Sequence, residues 1–464
     1  MRASIAFAAQ RAGRFLPGPL RRWAGRLIRP GGDETVELPD WSTPLLGGGP
    51  LTWPARSAAR RTEARPVSEP TGVRCLLVTE SLDAGGMDEF VAFLSRGLRD
   101  RGIQVAVLLV PVGVERGIGP IGHELLAEGI EVVDGPSVDV ERWIASWSPA
   151  IISVHGNARS PIEVGHRLGV PVVLVLHGMH DLFGMIDAEL LERYELLTGT
   201  VCVSELVRQQ YLARSSLIDP SRVLTIPNGI DAQRTVGVAR AEARAALGLH
   251  DELVFLSLSR HSIQKNTYGL VSAFDEIART HPSAHLVICG RVDDAGYARQ
   301  VLALRDRSAF ADRIHLRDST RRPDVLLAAA DGFVLDSFFE GWALASMEAL
   351  LAGVPVIASD VGGAREQLEG APVRGILVAN PLGDPLVVDW ESMARARFAP
   401  QANRAELIAA MDAFARGDAG LASAAEISAD ARARFDADRC LDLHAQAIRA
   451  VAAGAPLPQP SPSA

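Results

Sequence analysis

The chain has 464 residues, 48% of them hydrophobic and 22% charged, enough material for two domains with substantial cores. Its net charge of −9 argues against a general nucleic-acid binder, and no apolar run approaches the roughly 18 residues needed to span a bilayer. The four cysteines (Cys75, Cys202, Cys289, Cys440) are far apart and form no CxxC, which predicts buried reduced thiols and a cytosolic compartment.

Residues 1–30 carry seven Arg and no acidic residue. Within residues 20–29, Leu20, Trp23, Ala24, Leu27 and Ile28 share one helical face, and Arg21, Arg22, Arg26 and Arg29 share the other. Such a helix can lie on an anionic membrane surface or dock its apolar face on the protein. Residues 31–71 are rich in Gly, Pro and polar residues and read as a tether, so residues 1–71 form a basic arm and linker. A chain starting at Gly72 is therefore expected to keep the fold and ligand binding.

From Val73 onward, short apolar runs alternate with helical stretches. The first series comprises residues 73–79, 104–110, 151–154, 170–176, 200–203 and 223–226. A second follows the charged residues 240–249 and comprises residues 253–259, 284–289, 313–316, 332–335, 354–358 and 375–378. Continuous apolar runs, rather than alternating ones, mark parallel strands buried on both faces. The expected fold class is α/β, with two doubly wound parallel-sheet (Rossmann-like) domains at residues 72–235 and 236–422. Ligands in such sheets bind at the carboxyl ends of the strands. A long Ala-rich helix is expected over residues 423–454, and the Pro-rich residues 455–464 read as a disordered tail. Residues 381–401 show no pattern.

One stretch carries more chemistry than the rest. Ser337-Phe338-Phe339-Glu340-Gly341-Trp342-Ala343-Leu344-Ala345-Ser346-Met347-Glu348 follows an apolar strand, and Gly353-Val354-Pro355-Val356 opens the next one. A helix beginning near Trp342 would place Glu348 about 9 Å along its axis, with Glu340 at its mouth. The free N–H groups and positive dipole end suit a phosphate. A ligand spanning both carboxylates then carries phosphate in its middle and hydroxyl-rich groups at its ends, as a nucleotide-sugar does. Arg260 and Lys265 follow the strand ending at Ser257-Leu258-Ser259, where two cations can neutralise a diphosphate and stabilise it as a leaving group.

Together these segments resemble the retaining glycosyltransferases of family 4, with their Glu-x7-Glu signature and GT-B fold, over about residues 72–452. The resemblance implies two domains facing a central cleft and a C-terminal helix crossing back onto the first domain. It implies that Glu348 holds the nucleotide ribose, and that Glu340 with the amides of Gly341, Trp342, Ala343 and Leu344 contacts the sugar and diphosphate. Arg260 and Lys265 take the diphosphate-binding positions. Two departures stand out: Trp342-Ala343 replaces the usual Phe-Gly, and Asn266 replaces the Gly after the lysine. Gly85-Gly86 lies in the loop expected over the diphosphate, and no GxGxxG occurs there, which disfavours a hydride-transfer enzyme. His177 ends a strand where relatives carry a sugar-site histidine. His155 ends another strand in the same way, and Asn228-Gly229-Ile230-Asp231 corresponds to a structural hinge.

The one Asp-x-Asp, Asp436 and Asp438, reads as a solvated helix face, so neither a metal nor another cofactor is expected. The expected partners are a nucleotide-sugar donor, a sugar or lipid-linked hydroxyl acceptor, and an anionic membrane surface reached through residues 1–30. The implied activity is retaining transfer of a sugar to a hydroxyl in envelope polysaccharide or glycolipid synthesis, at or near the inner membrane face. Two alternatives remain open: a nucleotide-sugar epimerase of the same fold, and a non-catalytic binding subunit.

Overall fold

The computed structural model describes residues 35–55, 72–83, 85–111, 117–230 and 238–458. Two parallel sheets organise the chain. The first has the order β3-β2-β1-β4-β5-β6-β7, built from Arg74–Thr79 (β1), Gln104–Leu109 (β2), Glu131–Asp134 (β3), Ile151–His155 (β4), Val172–Leu176 (β5), Gly199–Cys202 (β6) and Val223–Thr225 (β7). The second has the order β10-β9-β8-β11-β12-β13, from Leu253–Leu258 (β8), Ala284–Cys289 (β9), Ile314–Arg317 (β10), Gly332–Leu335 (β11), Val356–Ser359 (β12) and Gly375–Val378 (β13). Strands such as β4 and β5 are buried along their whole length between helical layers, which is why their apolar runs are uninterrupted. Sequence reading missed β3, an edge strand in which only Val132 is buried, so no apolar run announces it.

The C-terminal region departs from one long helix. It forms Ala424–Arg434 and Ala437–Ala452, separated at Phe435 and Asp436. Asp436 caps the second helix by accepting from the Arg439 N–H, and the Phe435 carbonyl accepts from Ile230 N–H at 3.1 Å. The chain thus breaks where it crosses back to the first domain. There the second helix packs on Gly86–Asp100, with Leu441 pressed against Gly97. Asp436 and Asp438 lie on an exposed helix face, as expected, and from that face Asp438 with Asp442 holds the buried Arg101 at 2.8 and 2.6 Å. Nor is residue 457 part of a loose tail, because Leu457 is buried against Gly199.

Residues 35–55 are not a free tether either. Trp41 and Leu45 are buried against the second domain, and the Leu45 and Leu46 N–H groups both donate to the Leu247 carbonyl. The remainder of the linker, 31–34 and 56–71, and the basic arm, 1–30, lie outside the described residues.

Residues 381–401 acquire a role. Asp389 and Ser392 form a capping box that starts the helix Trp390–Ala396. Trp390 then meets Phe183 of the first domain and Phe339 of the second at ring-centroid distances of 5.5 and 5.7 Å, and Gln210 donates to the Pro385 carbonyl. The segment is a clasp between the domains, and its signal is aromatic contact over long sequence separation rather than periodicity.

Candidate active site

The carboxyl ends of both sheets face one cleft of about 570 Å³. Gly85, Gly86, His177, Arg260, Lys265, Glu340, Gly341, Trp342, Ala343, Leu344 and Glu348 all line it. His155 does not; it sits behind His177 in the sheet.

The helix near the double-glutamate stretch is Leu344–Leu351, so it begins two residues later than expected, with Ala343 as N-cap. No side chain caps it, which leaves the amides of the first turn directed at the cleft. Glu348 therefore stands only about 6 Å along the axis from Leu344. Gly341 passes so close to the first domain that a Cβ there would lie 1.7 Å from the His177 carbonyl oxygen. Only a glycine fits at this crossing. The Trp342 ring turns inward, over Gly363 and edge-on to Phe435 at 6.0 Å, and its Nε1 donates to Met347 Sδ. Its departure from the usual Phe is accordingly a packing change beneath the site.

Lys265 ends a short 3-10 turn after β8 and pairs with Glu340 at 2.5 Å, while the Ser337 hydroxyl donates to the same carboxylate oxygen at 2.7 Å. Arg260 pairs with Asp293 and donates to Gln264 Oε1 at 3.0 Å; Arg291 also pairs with Asp293. The two-Arg, one-Asp group retains a positive charge at the cleft, whereas Lys265 and Glu340 balance each other.

Asn266 explains its own departure from glycine. Its backbone lies at φ 48, the left-handed region that Asn tolerates better than other side-chain-bearing residues. Its amide donates to Asp336 Oδ2 at 2.7 Å and accepts from Gln401 at 2.9 Å. Asn403 donates to the other Asp336 oxygen, and burial pushes that carboxyl up to about 7. The amide thus ties the turn bearing Lys265 to the end of β11.

From the first domain, His177 Nε2 meets His155 Nδ1 at 2.9 Å, and His155 Nε2 meets the Ser153 hydroxyl at 3.3 Å. Phe90 packs against His155, His177 and His444. Burial, then the neighbouring His180 and His444, pushes His177 down to about 3, and burial alone brings His444 to about 4. His177 is therefore a neutral hydrogen-bonding group in the cleft wall.

Sequence reasoning missed several lining residues: His180, Gln264, Gly290, Arg291, Ser319, Thr320 and Pro323. Most lie just past strands β5, β8, β9 and β10, where the strand-end rule could have found them. Asn228, assigned to the hinge, also lines the cleft, and its Oδ1 is buried without a hydrogen-bond partner. Asp231 lies outside the described residues. Among the described residues no group of three or more His, Cys, Asp or Glu could hold a metal, and no helix is long and apolar enough to cross a membrane. The four cysteines are free and buried.

The family model Glycosyltransferase Family 4 matches residues 84–234, and Glycosyl transferases group 1 matches residues 239–387. A curated relative, the D-inositol 3-phosphate glycosyltransferase of Segniliparus rotundus, is 28% identical over 395 residues, covering 76% of this chain and 83% of that protein. A phosphatidylinositol N-acetylglucosaminyltransferase subunit from Arabidopsis thaliana is 23% identical over 350 residues, 69% of this chain and 74% of that one. Among solved structures, a glycosyltransferase from Rickettsia africae superposes with TM-score 0.66 at 17% identity, covering 82% of this chain and 98% of that chain. Anabaena HepE in complex with UDP and glucose gives TM-score 0.64 at 20% identity, covering 81% and 99%. These two share the fold.

Proposed function

We propose that this chain, which belongs to the family 4-like glycosyltransferases of GT-B fold, transfers a sugar with retention of configuration from a nucleotide-sugar to the hydroxyl of a glycolipid or envelope acceptor. The observation that carries the reading is the convergence of Arg260, Lys265, Glu340 and the uncapped helix Leu344–Leu351 from one domain on His177 of the other. Inositol-type acceptors are the first to try, because the named activities of the curated relatives use them. The solved relative HepE binds UDP and glucose, which puts UDP-sugars first among donors.

In this reading the diphosphate sits at the helix N-terminus, where first-turn amides and Arg260 bind its oxygens and stabilise the departing charge. Lys265 acts beside it and keeps Glu340 oriented toward the sugar. Glu348 accepts from the ribose hydroxyls. Neutral His177 hydrogen-bonds a sugar hydroxyl, with its tautomer set by His155. The acceptor hydroxyl attacks from the face that the diphosphate leaves, and a phosphate oxygen takes its proton, so no side-chain base is required. The reaction proceeds without a bound metal or other cofactor. Residues 1–30 hold the enzyme at the cytoplasmic membrane face, where a lipid-linked acceptor lies.

A panel of UDP-, GDP- and ADP-sugars offered with and without inositol phosphate tests this reading, with nucleoside diphosphate release as the readout. Acceptor-dependent release that survives EDTA is expected. Conversion of donor to an isomer without acceptor would make the chain an epimerase, and inertness toward every donor would favour the binding subunit.

A further inference from the structure

Past β10, Ser319 and Thr320 form the far end of the cleft beside Gly290 and Arg291. Sheet order fixes what reaches them. The strands run β10-β9-β8-β11, with Arg260 and Lys265 following β8 and the uncapped helix following β11. A ligand whose phosphates sit between those groups extends its remaining end across β9 and β10. On the reading of this cleft as a nucleotide-sugar site, that end is the nucleoside.

The loop after β10 is held from outside its own sheet. Asp318 N–H donates to the Pro39 carbonyl at 3.0 Å, and the Asp318 carbonyl accepts from Trp41 Nε1 at 2.8 Å. Buried Arg317 donates to the carbonyls of Asp40 and Pro44 at 2.7 and 2.9 Å. On the other flank, Arg322 donates to the Pro54 carbonyl at 2.8 Å. Trp41 is 8% exposed, and its ring packs against Trp53 at 5.8 Å and beneath the Arg317 guanidinium at 5.4 Å. Both flanks of the loop are pinned, and Ser319 and Thr320 between them face the cleft.

We propose that residues 35–55 are a positioning strap for the nucleoside end of the donor pocket. The strap lines no part of the cavity and acts on the donor through the loop after β10, which carries Ser319 and Thr320. This proposal rests on the nucleotide-sugar reading of the cleft. It makes nucleoside recognition depend on a segment some 277 residues away in sequence from the loop it holds.

The test uses the full chain, unaltered and as Trp41→Ala and Trp41→Phe, with UDP and inorganic pyrophosphate as calorimetric probes. Trp41→Ala should weaken UDP binding about tenfold, a loss of about 1.4 kcal/mol. Pyrophosphate, held by Arg260 and the helix terminus, should bind within about twofold of the unaltered chain. Trp41→Phe keeps the ring but loses the Nε1 donor, and should show a smaller loss confined to UDP. If Trp41→Ala fails to fold, Trp41→Phe decides by the same criterion. Unchanged UDP affinity in a folded variant, or parallel losses for UDP and pyrophosphate, would overturn the strap. An unaltered chain that binds UDP no more tightly than pyrophosphate would contradict the nucleotide reading itself and remove the basis for the strap; that result needs no substitution, so the two failures are distinguishable.

Discussion

Lys265 and Glu340, 75 residues apart in sequence, meet at 2.5 Å in the floor of the cleft, and Ser337 holds the same carboxylate oxygen. The pair joins the turn after β8 to the loop after β11, so the cation and the carboxylate are positioned by each other. Neither can be altered without disturbing the other.

Two substitutions separate the ends of the donor site. Glu348→Ala should weaken nucleotide binding by about 1.5–3 kcal/mol, the worth of hydrogen bonds from ribose hydroxyls to a charged group. Lys265→Ala should lower kcat more than it weakens nucleoside binding, because it disturbs the reacting end. Titration calorimetry and initial rates check both, and wild-type turnover in the two variants would show that the cleft is misassigned.

At the domain crossing, Gly341→Ala should cut kcat/KM by about a hundredfold, since a displacement of about 1 Å between reacting groups costs that much. The added methyl would collide with the His177 carbonyl, while both sheets keep their own cores. Circular dichroism should therefore remain native while activity falls. Full activity would mean that the two domains need not approach this closely.

Buried histidines give a pH dependence with a definite sign. Burial lowers His177 to about 3 and His444 to about 4, below the value of about 6.5 expected when unfolded. The stability tied to their neutral forms is complete above pH of about 6.5 and is lost as pH falls toward the folded values, because the unfolded chain binds protons first. Urea midpoints should drop between pH 7 and pH 5, and His444→Phe should flatten that slope. Over the same range kcat should show no acidic limb from His177. Equal slopes for the two proteins would contradict the assignment.

Deletion of the arm tests membrane attachment. The appropriate variant lacks residues 1–34 and keeps 35–55, because a chain starting at Gly72 would also lose Trp41 and its contacts to Asp318. The shortened protein should keep donor binding and lose co-sedimentation with anionic liposomes, to which each Arg near the surface contributes about 1 kcal/mol. Added salt should weaken the full-length binding. Equal liposome binding by both proteins, or none by either, would exclude the arm as an anchor.

Much of this molecule was legible because parallel strands buried on both faces leave continuous apolar runs, as in β1, β5 and β9. The Glu340 stretch was legible because a strand, a small-residue loop and a helix follow one another locally. What escaped depends on distant partners. Trp41 gains its meaning from Asp318, Trp390 from Phe183 and Phe339, and Asn228 from the cleft it enters. Asn266 departs from the usual glycine, and its left-handed backbone and its bonds to Asp336 and Gln401, neither visible in sequence, account for the side chain. The break at Phe435 and Asp436 was hidden within an Ala-rich stretch with good helix propensity, where a tertiary contact to Ile230 prevails.

Product stereochemistry tests the central claim most directly. With an α-linked nucleotide-sugar as donor, the proton NMR spectrum of the product should show the anomeric coupling of an α-glycoside, because attack and departure share one face of the sugar. A β-glycoside product would contradict retention, and with it the same-face attack in which a phosphate oxygen takes the acceptor's proton.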